Sequence, residues 1–308
     1  MRVLLTGASG FIGSNVLKYM LEHTDWEFVC PVSFRHQGQG QKVLTNSRVK
    51  TVYHDLRGKM PHIGKVDIIL HFASESHVDR SIEDPVHFIE NNVQSTLQVL
   101  EYARRCKPMA FLLFSTDEVY GPHDHAEWDV LLPSNPYSAS KAAQEMIAIS
   151  YWNTYGVPVI ITNSNNIVGL GQDPEKFIPK VIGLINAGSP VTVHVTAAGP
   201  GRRHYNPVQN VADALLFIFK YSMAISLSSG DRPMRFELPG GKELDNFQMV
   251  HLLAKLMGKP VETKMVAAGS VRPGYDQSYA PTLGQHLLKL NWKPVISLED
   301  CLKEVIDA

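Results

Sequence analysis

The chain has 308 residues, about two average domains in length, and its 29 Lys and Arg balance 30 Asp and Glu to a net charge of −1. That balance leaves no overall field to attract nucleic acid or an anionic membrane. Hydrophobic residues make up 44% and charged residues 19%, and no apolar run approaches the roughly 18 residues of a membrane span, so transmembrane and disordered proteins are excluded. Any anionic partner must therefore be held by a local site.

The first apolar run is too short for a signal peptide, so we expect a cytoplasmic protein. Residues 3–5 are apolar, but Gly7 and Gly10 interrupt the run before a signal-peptide core could form.

The three cysteines are odd in number, far apart and without C-x-x-C spacing, so we expect reduced thiols and no metal site.

Short apolar runs alternate with longer stretches through the first half of the chain. Residues 3–6 predict a strand, and the apolar spacing that starts at Phe11 predicts a helix. Further strands are predicted at residues 26–32, 49–53, 66–72, 109–115 and 157–162, with helices at 85–105 and 137–155. This alternation predicts an α/β fold, a Rossmann-type doubly wound parallel sheet with helices on both faces.

The pattern changes after about residue 163, where Gly and Pro clusters separate shorter elements. We expect residues 1–163 to form a dinucleotide-binding domain that a helix within residues 204–222 rejoins. Residues 164–203 and 223–308 are then expected to form a smaller C-terminal α/β domain for the substrate.

A G-x-x-G-x-x-G motif spans residues 7–13, between the first predicted strand and helix. Glycines there let the chain turn tightly and let backbone N–H groups approach a pyrophosphate at the helix N-terminus. The alternative is a purely structural turn. The residues predicted to bind the dinucleotide are Gly7, Gly10, Phe11, Ile12 and Gly13, with Asp55 and Leu56 against the adenine.

The residues at the end of the second predicted strand do not decide between NAD and NADP as the cofactor. NAD is normally bound there by a carboxylate on the ribose hydroxyls, and residues 30–36 offer none. Arg35 could instead receive the 2′-phosphate of NADP, or it could be an ordinary solvated residue. We predict NAD, with NADP as the alternative.

Tyr137 and Lys141 lie four residues apart, which places them on one face of a predicted helix. A free tyrosine, with a pKa near about 10, is a poor base at neutral pH, and a nearby cation lowers that pKa. The pair could therefore take a hydroxyl proton while hydride leaves for nicotinamide. By itself this spacing also occurs by chance in helices, with the tyrosine in a core and the lysine in solvent.

The glycine motif with Tyr137 and Lys141 resembles the extended short-chain dehydrogenase/reductase superfamily. Within it, the chain is most similar to the nucleotide-sugar 4,6-dehydratases, particularly those acting on dTDP-glucose. The matching segments are residues 71–82, 115–121, 136–141, 164–166, 174–179 and 272–276, so the resemblance covers essentially the whole chain.

This resemblance implies an enzyme that oxidises C4 of a hexose, eliminates water across C5 and C6, and returns hydride to C6. Glu118 would take the C5 proton, Asp117 would protonate the leaving hydroxyl, and Thr116 would bind the 4-hydroxyl beside Tyr137. Asp117 must then hold a proton near neutral pH, which burial would favour. Without the resemblance, an Asp-Glu pair after a strand could equally cap a helix or face solvent.

The resemblance also implies the residues that hold the ligands. Ala73, Tyr137 and Lys141 would contact the cofactor. The nucleotide-diphospho-hexose substrate would be bound by Ser76, Asn165, Lys176, Arg203, Asn246 and Arg272, although each cation could also be ordinary surface charge.

Two alternative functions stay open from the sequence. A nucleotide-sugar epimerase or decarboxylase would share the C4 oxidation, and a non-catalytic NAD(P)-binding sensor would share the fold. The apolar stripes on residues 85–105 and 137–155 match helices through which related enzymes dimerise, so we expect a homodimer through a four-helix bundle. We interpret the His-rich segment at residues 123–127 as a polar loop without a metal.

Overall fold

A computed structural model describes residues 1–33, 44–122, 129–224, 230–238, 240–241, 243–267, 278 and 285–308 of the chain. Arg35, Arg272 and the segment 123–127, all singled out from the sequence, lie outside the described residues.

Strands and helices alternate along the chain. The strands are β1 Arg2–Thr6, β2 Glu27–Val32, β3 Val49–Tyr53, β4 Ile68–His71, β5 Ala110–Thr116, β6 Val159–Ser164, β7 Asn166–Val168, β8 Val191–Thr196, β9 Gly199–Pro200, β10 Arg202–Pro207, β11 Met234–Leu238, β12 Glu243–Asp245 and β13 Thr263–Ala267. The helices are α1 Phe11–His23, α2 Val78–Glu83, α3 Pro85–Cys106, α4 Pro136–Tyr155, α5 Phe177–Asn186, α6 Val208–Ala224, α7 Asn246–Met257, α8 Gln285–Lys289 and α9 Leu298–Ile306, with a 3-10 helix at Asp117–Tyr120.

A seven-stranded parallel sheet in the order β11-β6-β5-β4-β1-β2-β3 organises the first half of the chain. The order reverses between β1 and β4, and such switch points open a crevice at the carboxyl ends of the strands. The predicted Rossmann-type α/β fold is thereby confirmed.

Both faces of this sheet are covered by helices. Val3 and Leu5 of β1 pack in one apolar core with α1 and α6, and Leu4 packs in another with α3 and α4. Successive strand residues point to opposite faces, so the apolar middle of β1 contributes to both cores.

The second half forms two three-stranded sheets, ordered β12-β10-β7 and β13-β8-β9, around an apolar core shared with α5, α7 and α9. Strand β11 does not belong to these sheets, although residues 223–308 are expected from the sequence to lie in the second domain. It pairs with β6 because Phe236 and Leu238 bury their side chains in the first core. Helix α6 packs on α1, which covers one face of the large sheet.

Among the described helices, none combines the length and the apolar character that crossing a bilayer requires.

Candidate active site

A cleft of about 600 Å³ opens at the carboxyl ends of β1, β4, β5 and β6. Its lining includes most of the residues that the sequence singled out. These are Gly7, Gly10, Phe11, Ile12, Gly13, Asp55, Leu56, Ala73, Ser76, Thr116, Glu118, Tyr137, Lys141, Asn165, Lys176 and Arg203. Of the predicted site residues that the structure describes, Asp117 and Asn246 do not line this cleft.

The glycine loop at one end of the cleft is packed too closely for side chains. Gly7 has φ +72°, and a Cβ on it would lie 2.8 Å from the backbone nitrogen of Ala73. A Cβ on Gly13 would lie 2.2 Å from the carbonyl oxygen of Gly7. The loop therefore brings the N-terminus of α1 against β1, as a pyrophosphate cradle requires.

Gly13→Ala is expected to destabilise the protein by about 3 kcal/mol, because the new methyl group must push α1 away from the loop. Chemical denaturation measures the loss. Gly183→Ala is the matched control, since its Cβ on α5 meets nothing within 4 Å and the helix gains up to about 1 kcal/mol. Equal stabilities of the two variants would contradict the close packing.

Next to the glycine loop, the cleft is lined by the end of β2 and the loop after β3. Pro31, Val32 and Ser33 line it, and none of these carries a charge. Asp55 forms an ion pair with Arg57, with Arg57 Nη2 2.8 Å from Asp55 Oδ2. The described cleft-lining residues at the end of β2 are thus uncharged, and the nearby carboxylate of Asp55 is paired with Arg57.

Helix α4 presents Tyr137 and Lys141 to the cleft. Asn135 and Ser138 form a capping box that begins the helix, and the Tyr137 backbone N–H donates to Ser81 Oγ at 3.1 Å. Lys141 is buried, and its Nζ donates to the carbonyl of Phe114 at 2.7 Å. These contacts hold the two side chains at the carboxyl end of β5.

The expectation that Lys141 lowers the pKa of Tyr137 is corrected by the structure. Burial raises the pKa of the Tyr137 phenol, and the negative charges of Glu118 and Asp117 raise it further. A hydrogen bond with Thr116 acts in the opposite direction. Burial lowers the pKa of Lys141 to about 7, so the lysine is itself a weakened cation.

Thr116, Asp117 and Glu118 turn out of β5 into the 3-10 helix, where Thr116 Oγ1 accepts the backbone N–H of Glu118 at 3.3 Å. Glu118 lines the cleft, whereas Asp117 is only 5% exposed and lies behind Thr116, with Asp117 Oδ1 3.3 Å from Thr116 Oγ1. Burial raises the pKa of Asp117 to about 6, against the hydrogen bond from Asn165 and the charge of Arg203. Adjacent carboxyls thus sit in different environments, the arrangement that separates an acid from a base.

A buried polar network that the sequence does not predict lies behind these residues. Glu145 and Arg235 form an ion pair with 2.7 Å between oxygen and nitrogen, and both side chains are almost fully buried. Asn163 bonds to both and donates to the backbone oxygen of Thr116 at 3.0 Å. The pair joins α4 to β11, and no local pattern marks it because its members are far apart in the chain.

Polar contacts also join cleft-lining residues that follow β4 to residues that precede α5. Lys176 Nζ donates to the backbone oxygen of Ser76 at 3.0 Å. Glu175 lies 2.5 Å from Arg80 Nη2 and 3.6 Å from His77 Nε2. These contacts tie the loop after β4 to the start of α5.

The remaining described substrate candidate lies apart from these contacts. Asn246 begins α7, and its backbone N–H donates to Gly201 at 2.9 Å. Its predicted contact with substrate stays a prediction.

Comparisons with known proteins agree with the Rossmann-type fold. A sequence model described as the NAD dependent epimerase/dehydratase family matches residues 3–225. The chain is 34% identical to the low-salt glycan biosynthesis protein Agl12 of Haloferax volcanii over 100% of this chain and 98% of that protein, and 30% identical to the dTDP-glucose 4,6-dehydratase of Salmonella typhimurium over 100% and 92%. The crystal structure of DesIV, a dTDP-glucose 4,6-dehydratase from Streptomyces venezuelae with NAD and TYD bound, superposes with a TM-score of 0.84 at 30% identity, covering 100% of this chain and 96% of that one. The protein therefore belongs to the NAD dependent epimerase/dehydratase family.

Proposed function

We propose that this protein is an NAD-dependent nucleotide-sugar 4,6-dehydratase that converts dTDP-glucose or UDP-glucose into the 4-keto-6-deoxy sugar. One observation carries the proposal: Asp117 is a buried carboxyl with a pKa raised to about 6, beside Glu118, which lines the cleft. The elimination of water needs one proton donor and one proton acceptor next to each other. Full-length relatives that bear this activity in their names support the same conclusion.

The cofactor fits the glycine cradle, because that loop leaves room for a pyrophosphate and for no side chain at Gly7 or Gly13. When bound there, NAD would accept hydride from C4 of the hexose and later return it to C6. The alternative of NADP depended on Arg35, which lies outside the described residues.

The first task of the side chains is to remove the proton of the 4-hydroxyl. Tyr137 lines the cleft and hydrogen-bonds Thr116, so one hexose hydroxyl can contact both. Tyr137 must be in its phenolate form to take the hydroxyl proton as hydride departs, and Thr116 keeps the hydroxyl in place.

The second task is to eliminate water from the ketone. Glu118 takes the proton from C5, which the neighbouring carbonyl has made acidic. The proton of Asp117, which lies behind Thr116 and outside the cleft lining, has to pass Thr116 to reach the 6-hydroxyl. That hydroxyl then leaves as water, and a double bond remains between C5 and C6. The raised pKa of Asp117 supports this division, because the donor must carry a proton near neutral pH.

The substrate diphosphate needs cations in the cleft. Lys176 and Arg203 line it from the second half of the chain, so we propose that they bind the diphosphate, with Ser76 and Asn165 nearby. Arg272 and Asn246 stay candidates by resemblance. In this arrangement residues 1–163 and 204–222, with β11, hold the cofactor, and the rest of the second half holds the nucleotide sugar.

We also propose a cytoplasmic homodimer. Val86 and Ile89 on α3 and Met146 on α4 are exposed apolar side chains, and a second copy packed as a four-helix bundle would cover them. All three cysteines are free thiols, which suits a reducing compartment.

A panel of substrates tests the function. The purified protein is incubated with NAD and dTDP-, UDP-, GDP- or CDP-hexoses, and the products are followed by mass spectrometry. Loss of water from dTDP-glucose or UDP-glucose is the expected outcome. Epimerisation or decarboxylation without loss of water would replace the dehydratase proposal, and binding of every sugar without turnover would favour a sensor.

A further inference from the structure

The side-chain amide of Asn165 bridges the Asp117 carboxyl to the loop that follows β11. Its Nδ2 donates to Asp117 Oδ2 at 2.8 Å, and its Oδ1 accepts the backbone N–H of Gly240 at 2.7 Å. A backbone N–H can only donate, so the amide atom facing Gly240 must be the oxygen. The NH₂ group of Asn165 therefore faces Asp117.

This bridge needs a glycine at position 240. A Cβ there would lie 2.9 Å from Asn165 Oδ1 and 2.9 Å from Cβ of His204. At the next position, a Cβ on Gly241 would meet only the backbone oxygen of Tyr205, at 3.8 Å. The close approach of the loop to the amide is thus specific to Gly240.

We propose that Asn165 is a positioning residue that directs the acidic proton of Asp117 to Oδ1, the oxygen nearer Thr116. This inference rests on the proposed dehydratase function, in which Asp117 is the proton donor. An NH₂ group only donates, so Oδ2 accepts best as the carbonyl oxygen of the protonated carboxyl, and the proton belongs on Oδ1. Oδ1 lies 3.3 Å from Oγ1 of Thr116, which lines the cleft.

Charged and titratable groups on three other elements face Asp117. Arg203 on β10 favours its carboxylate, Glu237 on β11 disfavours it, and Tyr137 on α4 is close enough to interact with its charge. The hydrogen bond from Asn165 also favours the carboxylate. Removing that bond therefore has two consequences: Asp117 holds its proton to a higher pH, and the proton is no longer confined to one oxygen.

This role differs from the contact with substrate that the sequence predicted for Asn165. A residue that only binds substrate changes KM, whereas one that positions the proton donor changes kcat and its pH dependence. Activity falls as the pH rises through the pKa of the donor, because the donor must be protonated. Loss of the bridge is therefore expected to move the alkaline fall of kcat to higher pH while kcat itself decreases about tenfold or more.

Infrared spectroscopy of the protein labelled with ¹³C at aspartate carboxyls tests the bridge without turnover. The band of the protonated Asp117 carboxyl is identified by its loss in Asp117→Asn and is followed with pH. In Asn165→Leu, which removes the donor at similar volume, we expect the band to persist to higher pH. Its carbonyl frequency should also rise, because the carbonyl oxygen has lost a hydrogen bond.

The two neighbouring glycines give a matched pair for the same measurements. Gly240→Ala is expected to shift the band and the kcat profile in the same direction as Asn165→Leu, and Gly241→Ala is expected to match the wild type. If Asn165→Leu does not fold, Gly240→Ala decides the question. Wild-type frequency and titration in Asn165→Leu or Gly240→Ala, or a rise in KM alone, would overturn the inference. If the wild-type protein dehydrates none of the sugars, the proposed function is refuted. The infrared measurement would still show whether Asn165 positions the proton of Asp117.

Discussion

Glu118→Gln is expected to slow formation of the 4-keto-6-deoxy sugar about 100-fold or more, while reduced cofactor accumulates with substrate bound. The amide cannot take the C5 proton, but Tyr137 and Thr116 still serve the oxidation of C4. Removing Glu118 also removes a negative charge that raises the pKa of Tyr137, so the oxidation should not become slower. The absorbance of reduced nicotinamide, recorded during a single turnover, measures the accumulation.

Glu83→Gln is the matched control, because Glu83 is exposed on α2 and outside the described lining of the cleft. It should keep wild-type turnover. Full turnover by Glu118→Gln would remove Glu118 from the role of base, and a variant that neither turns over nor reduces the cofactor would place Glu118 in the oxidation itself.

Tyr137→Phe is expected to lower turnover about 1,000-fold, and here no reduced cofactor should form. The change deletes the phenol oxygen that takes the 4-hydroxyl proton, so the reaction stops before the elimination. Phenylalanine fills nearly the same space, and thermal unfolding should show little change in stability. Comparison of the two variants separates the oxidation from the elimination by one measurement, the level of reduced cofactor.

Tyr155→Phe provides the control on the same helix, since Tyr155 is 51% exposed at the end of α4. Its turnover should equal that of the wild type. Reduction of the cofactor by Tyr137→Phe at the wild-type rate would show that another group accepts the hydroxyl proton.

Local patterns predicted much of this fold correctly. The strands of the first half and helices α3 and α4 begin and end within two residues of the predicted ranges, because apolar periodicity is a property of neighbouring residues. Strand β11 could not be assigned to the large sheet from the sequence, since its partner β6 lies about 75 residues earlier in the chain and only the packing of Phe236 and Leu238 shows where it belongs. The Glu145 and Arg235 ion pair was missed for the same reason.

The sequence by itself determined the glycine loop, the parallel sheet and the residue types at the candidate catalytic positions, because each follows from spacing along the chain. Only the tertiary structure decided the environments of those residues. It placed the half-buried Tyr137 next to two carboxylates, which together with desolvation raise its pKa. It also placed Asp117 behind Thr116, with Asn165 on one of its oxygens. Burial and charge act through space, between groups that the chain order keeps far apart.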